Sequence, residues 1–204
     1  MTPPSRRRNV APPREAVLAA AMATIAEHGL DRLTMAGLGR DVGMSSGHLL
    51  YYFRTKDELL LRTLEWSESL LGADRAALLS GPGTAAERLT AYVGLYVPDG
   101  PRDPHWSLWL EVWNRSQAAG GEDARARQGA IEAAWHRDLV ALLAEGIARG
   151  EFRAVDPDRH ATRLRALLDG FSVHVAVGLP GTGRSEVLAH TAEFLAENLF
   201  APVP

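Results

Sequence analysis

The chain has 204 residues, 46% hydrophobic and 23% charged, with a formal net charge of −3 and no cysteine. That length supports one or two domains with a real core, and the balance excludes a disordered or fibrous chain. The lack of cysteine excludes disulfides, thiolate metal sites and a cysteine nucleophile, which fits a reducing cytoplasm.

The charge is partitioned. Residues 1–62 carry nine basic and six acidic side chains, and the remainder carries 13 and 19. A basic leading part on an acidic body suits a nucleic-acid-binding head joined to another kind of domain. Residues 1–12, which hold Arg6, Arg7 and Arg8, are expected to form a flexible arm. This triplet and the apolar run from Val17 to Ala26 imitate a signal peptide, but Pro12, Pro13 and Glu15 intervene and no cleavage site follows. No apolar run reaches the roughly 18–20 residues of a membrane span, so no membrane partner is expected.

Helical periodicity runs through the whole chain, and no segment alternates as a half-buried strand does. Val17, Leu18, Ala21 and Ile25 recur at helical spacing over 14–28, with Gly29 at the end. Thr34 can cap a short second helix with Met35, Leu38 and Val42 inward, and Gly43 supplies the turn. Ser45 or Ser46 then caps a third helix through Phe53, and Thr55 with Glu58 makes a capping box for a fourth from Lys56 to about Leu79. Three helices in some 40 residues with a tight turn fit a helix-turn-helix over 13–60. Turn-rich stretches at 80–83, 98–104, 119–123 and 180–183 separate helices at 84–97, 104–118, 123–149, 157–178 and 184–200. The expected class is all-α, about nine helices, with 61–204 as a ligand-binding and dimerisation domain.

Residues 14–60 resemble the N-terminal domain of the TetR family of transcriptional regulators. The resemblance rests on Arg14, Val17, Leu18, Ala21, Ile25 and Gly29, then Thr34, Leu38, Gly43, Ser45 and Gly47, then Tyr52, Phe53, Lys56 and Leu59. Two residues depart from the pattern. Gly39 stands where alanine is usual and should cost helix 2 up to about 1 kcal/mol of propensity, and Leu50 stands where many members have tyrosine. The later stretches WSLWLEVWNRSQ, ARGEFRAVDPDRHA and LLDGFSVHVAVG are similar to the branch holding the choline-responsive repressor of betaine synthesis.

The first turn of a helix in the DNA major groove presents N–H groups and short side chains to phosphates and base edges. Ser45, Ser46 and Gly47 therefore allow close approach, and His48 is the first long polar side chain able to reach a base. Tyr51 and Tyr52 can set hydroxyls on the flanking backbone while their rings wedge against helix 1. Leu49 and Phe53 have the spacing of a buried face. Thr34 and Arg40 are further phosphate candidates, and the resemblance implies a phosphate contact for Lys56, whose charge opposes the helix dipole.

In the body, Trp106, Trp109 and Trp113 share one helical face. Such a stripe is either core or the wall of an apolar pocket with a few polar groups. Trp109, Glu111, Trp113, Phe171 and His174 are the candidate ligand residues, with Asn114, Trp135 and Asp169 as further possibilities. Rings plus a carboxylate suit a cation. Apolar and small residues on the last two helices, Ala166, Leu167, Gly170, Val173 and Val177, then Val187, Leu188, Thr191, Leu195 and Leu199, suit a homodimer interface or an internal core. Glu132/His136 and Glu186/His190 pair carboxylate with imidazole one turn apart and are expected to be surface pairs. No catalytic motif, metal set or cofactor loop is present, so no cofactor and no enzymatic activity are expected. The function implied is a homodimeric, ligand-responsive repressor that leaves a palindromic double-stranded DNA operator when a small-molecule effector binds. The alternative is a helical binding protein or enzyme with a vestigial head.

Overall fold

A computed structural model describes residues 14–115 and 121–201, so the arginine triplet and the stretch 116–120 lie outside the described residues. Among them the chain forms nine α-helices: α1 (Arg14–His28), α2 (Met35–Val42), α3 (Ser46–Tyr52), α4 (Lys56–Ser80), α5 (Ala85–Tyr96), α6 (Pro104–Arg115), α7 (Glu122–Ala148), α8 (Pro157–Val177) and α9 (Arg184–Asn198). A 3₁₀ turn over Leu30–Arg32, absent from the periodicity, joins α1 to α2.

Local chemistry explains most boundaries. Thr34, Ser45, Thr55 and Asp156 each accept a bond from the backbone N–H three residues on, satisfying a donor that the first helical turn leaves open. Thr84 and Glu87 complete a reciprocal capping box. The box expected at Thr55 is half made, because the Glu58 carboxylate turns to Arg62 and Arg127 instead.

Two apolar clusters hold the elements together. The first gathers Val17, Leu18, Ala21 and Ile25 of α1 with Leu38, Leu49, Phe53, Leu59, Leu60 and Leu64, and it includes Leu108, Trp109 and Val112 of α6. Each fully buried Val, Leu, Ile or Phe side chain here contributes about 1.5–3 kcal/mol on burial. The head is thus seated directly on α6. The second cluster packs α5, α7, α8 and α9 around Tyr92, Trp135, Leu139, Leu164 and Leu195.

The head's own geometry corrects one expectation. Gly39 is buried, and a Cβ there would stand 2.5 Å from the carbonyl oxygen of Met44. Close approach of the turn to α2, and not tolerance of a weak helix former, accounts for the glycine. Gly43 ends α2 at φ 70°, the left-handed conformation that glycine adopts at least cost.

Candidate functional site

The recognition face is the solvent side of α3. Leu49 and Phe53 are buried, and the other side of α3 is open to solvent: Ser45, Ser46, Gly47 and His48 are exposed, as are Thr34 and Arg40 beside them. The Ser45 hydroxyl accepts from the His48 N–H at 3.2 Å, fixing the first turn from which His48 projects. Tyr52 packs on the His48 ring at 5.2 Å and meets Tyr51 edge-on at 5.5 Å. Tyr51 is 80% exposed, so it does not wedge against α1 as expected; it stands in solvent beside exposed Leu50. The Lys56 ammonium donates to the carbonyls of Leu30 at 3.0 Å and Asp31 at 3.4 Å. It therefore ties the start of α4 to the 3₁₀ turn, and this offsets the dipole conflict.

The second site lies where α5, α6, α7 and α8 meet. Tyr96, Trp106, Trp109, Trp113 and Trp135, together with Leu95, His105, Glu132 and Arg165, surround a small cavity. Tyr96 meets Trp106 and Trp135 edge-on at 5.8 and 5.1 Å, and Trp113 meets Trp106 and Trp109 at 5.8 and 5.5 Å. The cavity measures about 20 Å³, room for about one water.

The rings are oriented by carboxylates. Glu68, on α4 and only 8% exposed, accepts Trp109 Nε1 at 2.9 Å on one oxygen and Trp135 Nε1 at 2.8 Å on the other. His105 Nε2 lies 3.2 Å from the same carboxylate, and its Nδ1 is 2.9 Å from the Ser67 hydroxyl. Burial pushes the Glu68 carboxyl up, but His105 and the two indole N–H groups outweigh it and hold its pKa below the usual value. Glu132 accepts Trp113 Nε1 at 3.3 Å, and Tyr96 donates its hydroxyl to Asp169. Burial raises the pKa of Asp169 despite that bond and the nearby charge of Arg165. The Arg75 guanidinium lies over the Trp135 ring at 4.2 Å, a cation–π contact with one of these indoles.

Three of the five ligand candidates read from the sequence are elsewhere. Glu111 points to the head and accepts the Leu30 N–H at 3.0 Å, because it is two residues, about 200° of helix, from Trp109 and from Trp113. Phe171 stacks on His190 at 5.9 Å, and His174 is exposed. Trp109 and Trp113 do line the cavity. Asp169 and Trp135 belong here too, whereas Asn114 is exposed. Glu132 turns to the tryptophans and His136 pairs with Asp158, so the expected Glu132/His136 pair is not made; His190 pairs with Glu193 instead of Glu186. Val187, Thr191 and Leu195 of α9 are buried within the chain, leaving Ala166, Gly170 and Val177 of α8 as outward-facing members of the expected dimer set.

Among the described residues no helix is long and apolar enough to cross a membrane. Residues 17–63 match the family of bacterial regulatory proteins of TetR type, and residues 85–199 match the C-terminal part of BetI-type transcriptional repressors. The chain is 25% identical to the HTH-type transcriptional regulator BetI of Brucella anthropi over 91% of this chain and 93% of that protein. For BetI of Rhizobium meliloti the identity is 24%, over 92% and 90%. A transcriptional regulator from Saccharomonospora viridis, solved in complex with choline, superposes with a TM-score of 0.85 at 28% identity, covering 93% of this chain and 98% of that one. The chain belongs to the TetR family, carries the BetI-type C-terminal half of a transcriptional repressor, and is a ligand-responsive, DNA-binding regulator rather than an enzyme.

Proposed function

We propose that the protein is a homodimeric repressor whose effector is an organic cation with a compact quaternary ammonium head, held in the aromatic cage of Tyr96, Trp106, Trp109, Trp113 and Trp135. The observation that carries this reading is five rings enclosing one cavity, with the carboxylates of Glu68 and Glu132 on their indole N–H groups. Ring faces polarised in this way attract a desolvated cation by about 0.5–2 kcal/mol each. The choline bound by the Saccharomonospora viridis regulator supports the same chemical class.

In the head, Ser45, Ser46 and Gly47 let the first turn of α3 approach DNA, and His48 reads a base edge. Thr34, Arg40, Tyr51, Tyr52 and Lys56 contact phosphates and make affinity salt-dependent. Two heads are needed because palindromic half-sites lie about 34–36 Å apart. The exposed face of α8 is offered as the dimer contact. The cavity is too small for a ligand in this arrangement, so the effector must favour a rearranged state by differential affinity.

The test compares choline with its neutral carbon isostere, 3,3-dimethyl-1-butanol, by tryptophan fluorescence and calorimetry. Choline is expected to bind at least about tenfold more tightly, equivalent to about 1.4 kcal/mol. Equal binding of the two would reject cation recognition.

A further inference from the structure

The head has no cap of its own for the 3₁₀ turn that joins α1 to α2. Gly29 precedes that turn and offers it no side-chain bond. The Leu30 N–H is satisfied instead by Glu111 Oε1 at 3.0 Å, from a residue 81 positions away on α6. On the other side of the same peptide segment, Lys56 holds the Leu30 carbonyl. Arg115, one turn beyond Glu111, bonds Asp31 at 3.1 Å and Asp57 at 3.3 Å, and its Nε lies 3.8 Å from Glu111 Oε2. The turn is therefore gripped by α6 through Glu111 and Arg115 and by the start of α4 through Lys56.

The opposite face of α6 builds the cage. His105, Trp106, Trp109 and Trp113 make up four of the nine residues that line the cavity. With room for about one water, the cavity accepts a larger molecule only if its walls move, and α6 contributes more of those walls than any other helix. A helix is stiff along its length, so displacement of its tryptophan face displaces Glu111 as well.

We propose that Glu111 is a positioning residue that couples the cage to the DNA-reading head. By capping Leu30, it makes the placement of the 3₁₀ turn, and hence of α2 and α3, follow the position of α6. Cage occupancy thereby reaches the head through the Glu111–Leu30 bond. This rests on the assignment of the cage as the effector site.

The experiment uses the full chain, with Glu111→Ala, Glu111→Asp and Glu111→Gln. Choline is the effector probe, and a duplex recovered by the wild-type protein from a random library is the DNA probe. Alanine and aspartate remove or withdraw the acceptor; glutamine keeps a carbonyl oxygen within reach. Choline affinity in the absence of DNA, and DNA affinity in the absence of choline, are expected to stay within about threefold of wild type in all three. The choline-induced loss of DNA affinity is expected to fall by about tenfold in Ala and Asp and to survive in Gln. Full coupling in Ala and Asp, or its loss in Gln as well, overturns the proposal.

A second arm needs no effector. Trp113→Ala perturbs the α6 wall directly, and hydrogen exchange at the Leu30 amide reports on the turn. A change of at least about threefold is expected when Glu111 is present, and none in the Glu111→Ala background; unchanged exchange at Leu30 when Glu111 is present contradicts the coupling. If choline fails to bind wild type, the effector assignment falls while this arm still decides the role of Glu111.

Discussion

Replacing Glu68 by glutamine removes one charge at the point where α4, α6 and α7 meet. The carboxylate accepts one indole N–H on each oxygen, with His105 alongside. Glutamine can present its carbonyl oxygen to one indole only, and its amide N–H₂ then faces the N–H of the other. Either the Trp135 N–H is left unpaired or the Trp109 N–H keeps only its longer bond to His105 Nε2 at 3.2 Å, a loss of about 1–3 kcal/mol. The surviving bond loses its charge assistance, about a further 1 kcal/mol. The expected loss at pH 7 is about 2–4 kcal/mol, or about 5–15 °C in melting temperature for a chain of this size. Because the folded pKa of Glu68 is lowered, its stabilising contribution is present above the unfolded value near 4.3 and is lost as pH falls through the folded value. The gap between wild type and Glu68→Gln should therefore narrow as pH drops below about 4.3. Urea unfolding followed by tryptophan fluorescence and circular dichroism, at fixed protein concentration and several pH values, measures both quantities. A difference under about 0.5 kcal/mol at pH 7, or a gap that stays constant to pH 3, would refute the role assigned to this carboxylate.

Further substitutions test the head and the helix contacts. Gly39→Val forces a branched side chain into the carbonyl of Met44 and should cost about 3 kcal/mol or more in thermal or chemical unfolding. His48→Ala should flatten the preference among duplex variants by about 1–3 kcal/mol at one base position. Lys56→Ala should weaken all sequences alike and reduce the salt slope by about one ion, and a loss of discrimination equal to that of His48→Ala would contradict the division. Arg127 bridges Glu65 at 2.7 Å and Glu58 at 3.1 Å, clamping α7 to α4. With its partners partly solvent-exposed, Arg127→Ala should cost only about 1–2 kcal/mol in urea unfolding.

What the sequence disclosed divides by range. Helix limits were legible because their causes are local: Thr34, Ser45 and Thr55 cap within three residues of themselves. The turn over Leu30–Arg32 was not, since its cap comes from Glu111 on a distant helix. The buried and exposed sides of α3 followed from the spacing of Leu49 and Phe53, but the exposure of Tyr51 depends on which helices lie nearby. The cage was half legible. The spacing of Trp106, Trp109 and Trp113 marked one wall and Trp135 was a further possibility, whereas Tyr96, Glu68 and Arg165 come from three other helices and carry no common motif. Phe171 has the aromatic character of a cage residue but not the phase: about 200° of helix separates it from Asp169, which does bond the cage.

The most direct measurement of the central claim is the affinity of the wild-type protein for its selected duplex with and without saturating choline, repeated with Trp106→Ala. A fall of at least about tenfold on adding choline, absent in the cage variant, is the predicted result. Choline that binds the protein but leaves DNA affinity unchanged, or that acts equally on the variant, would contradict it.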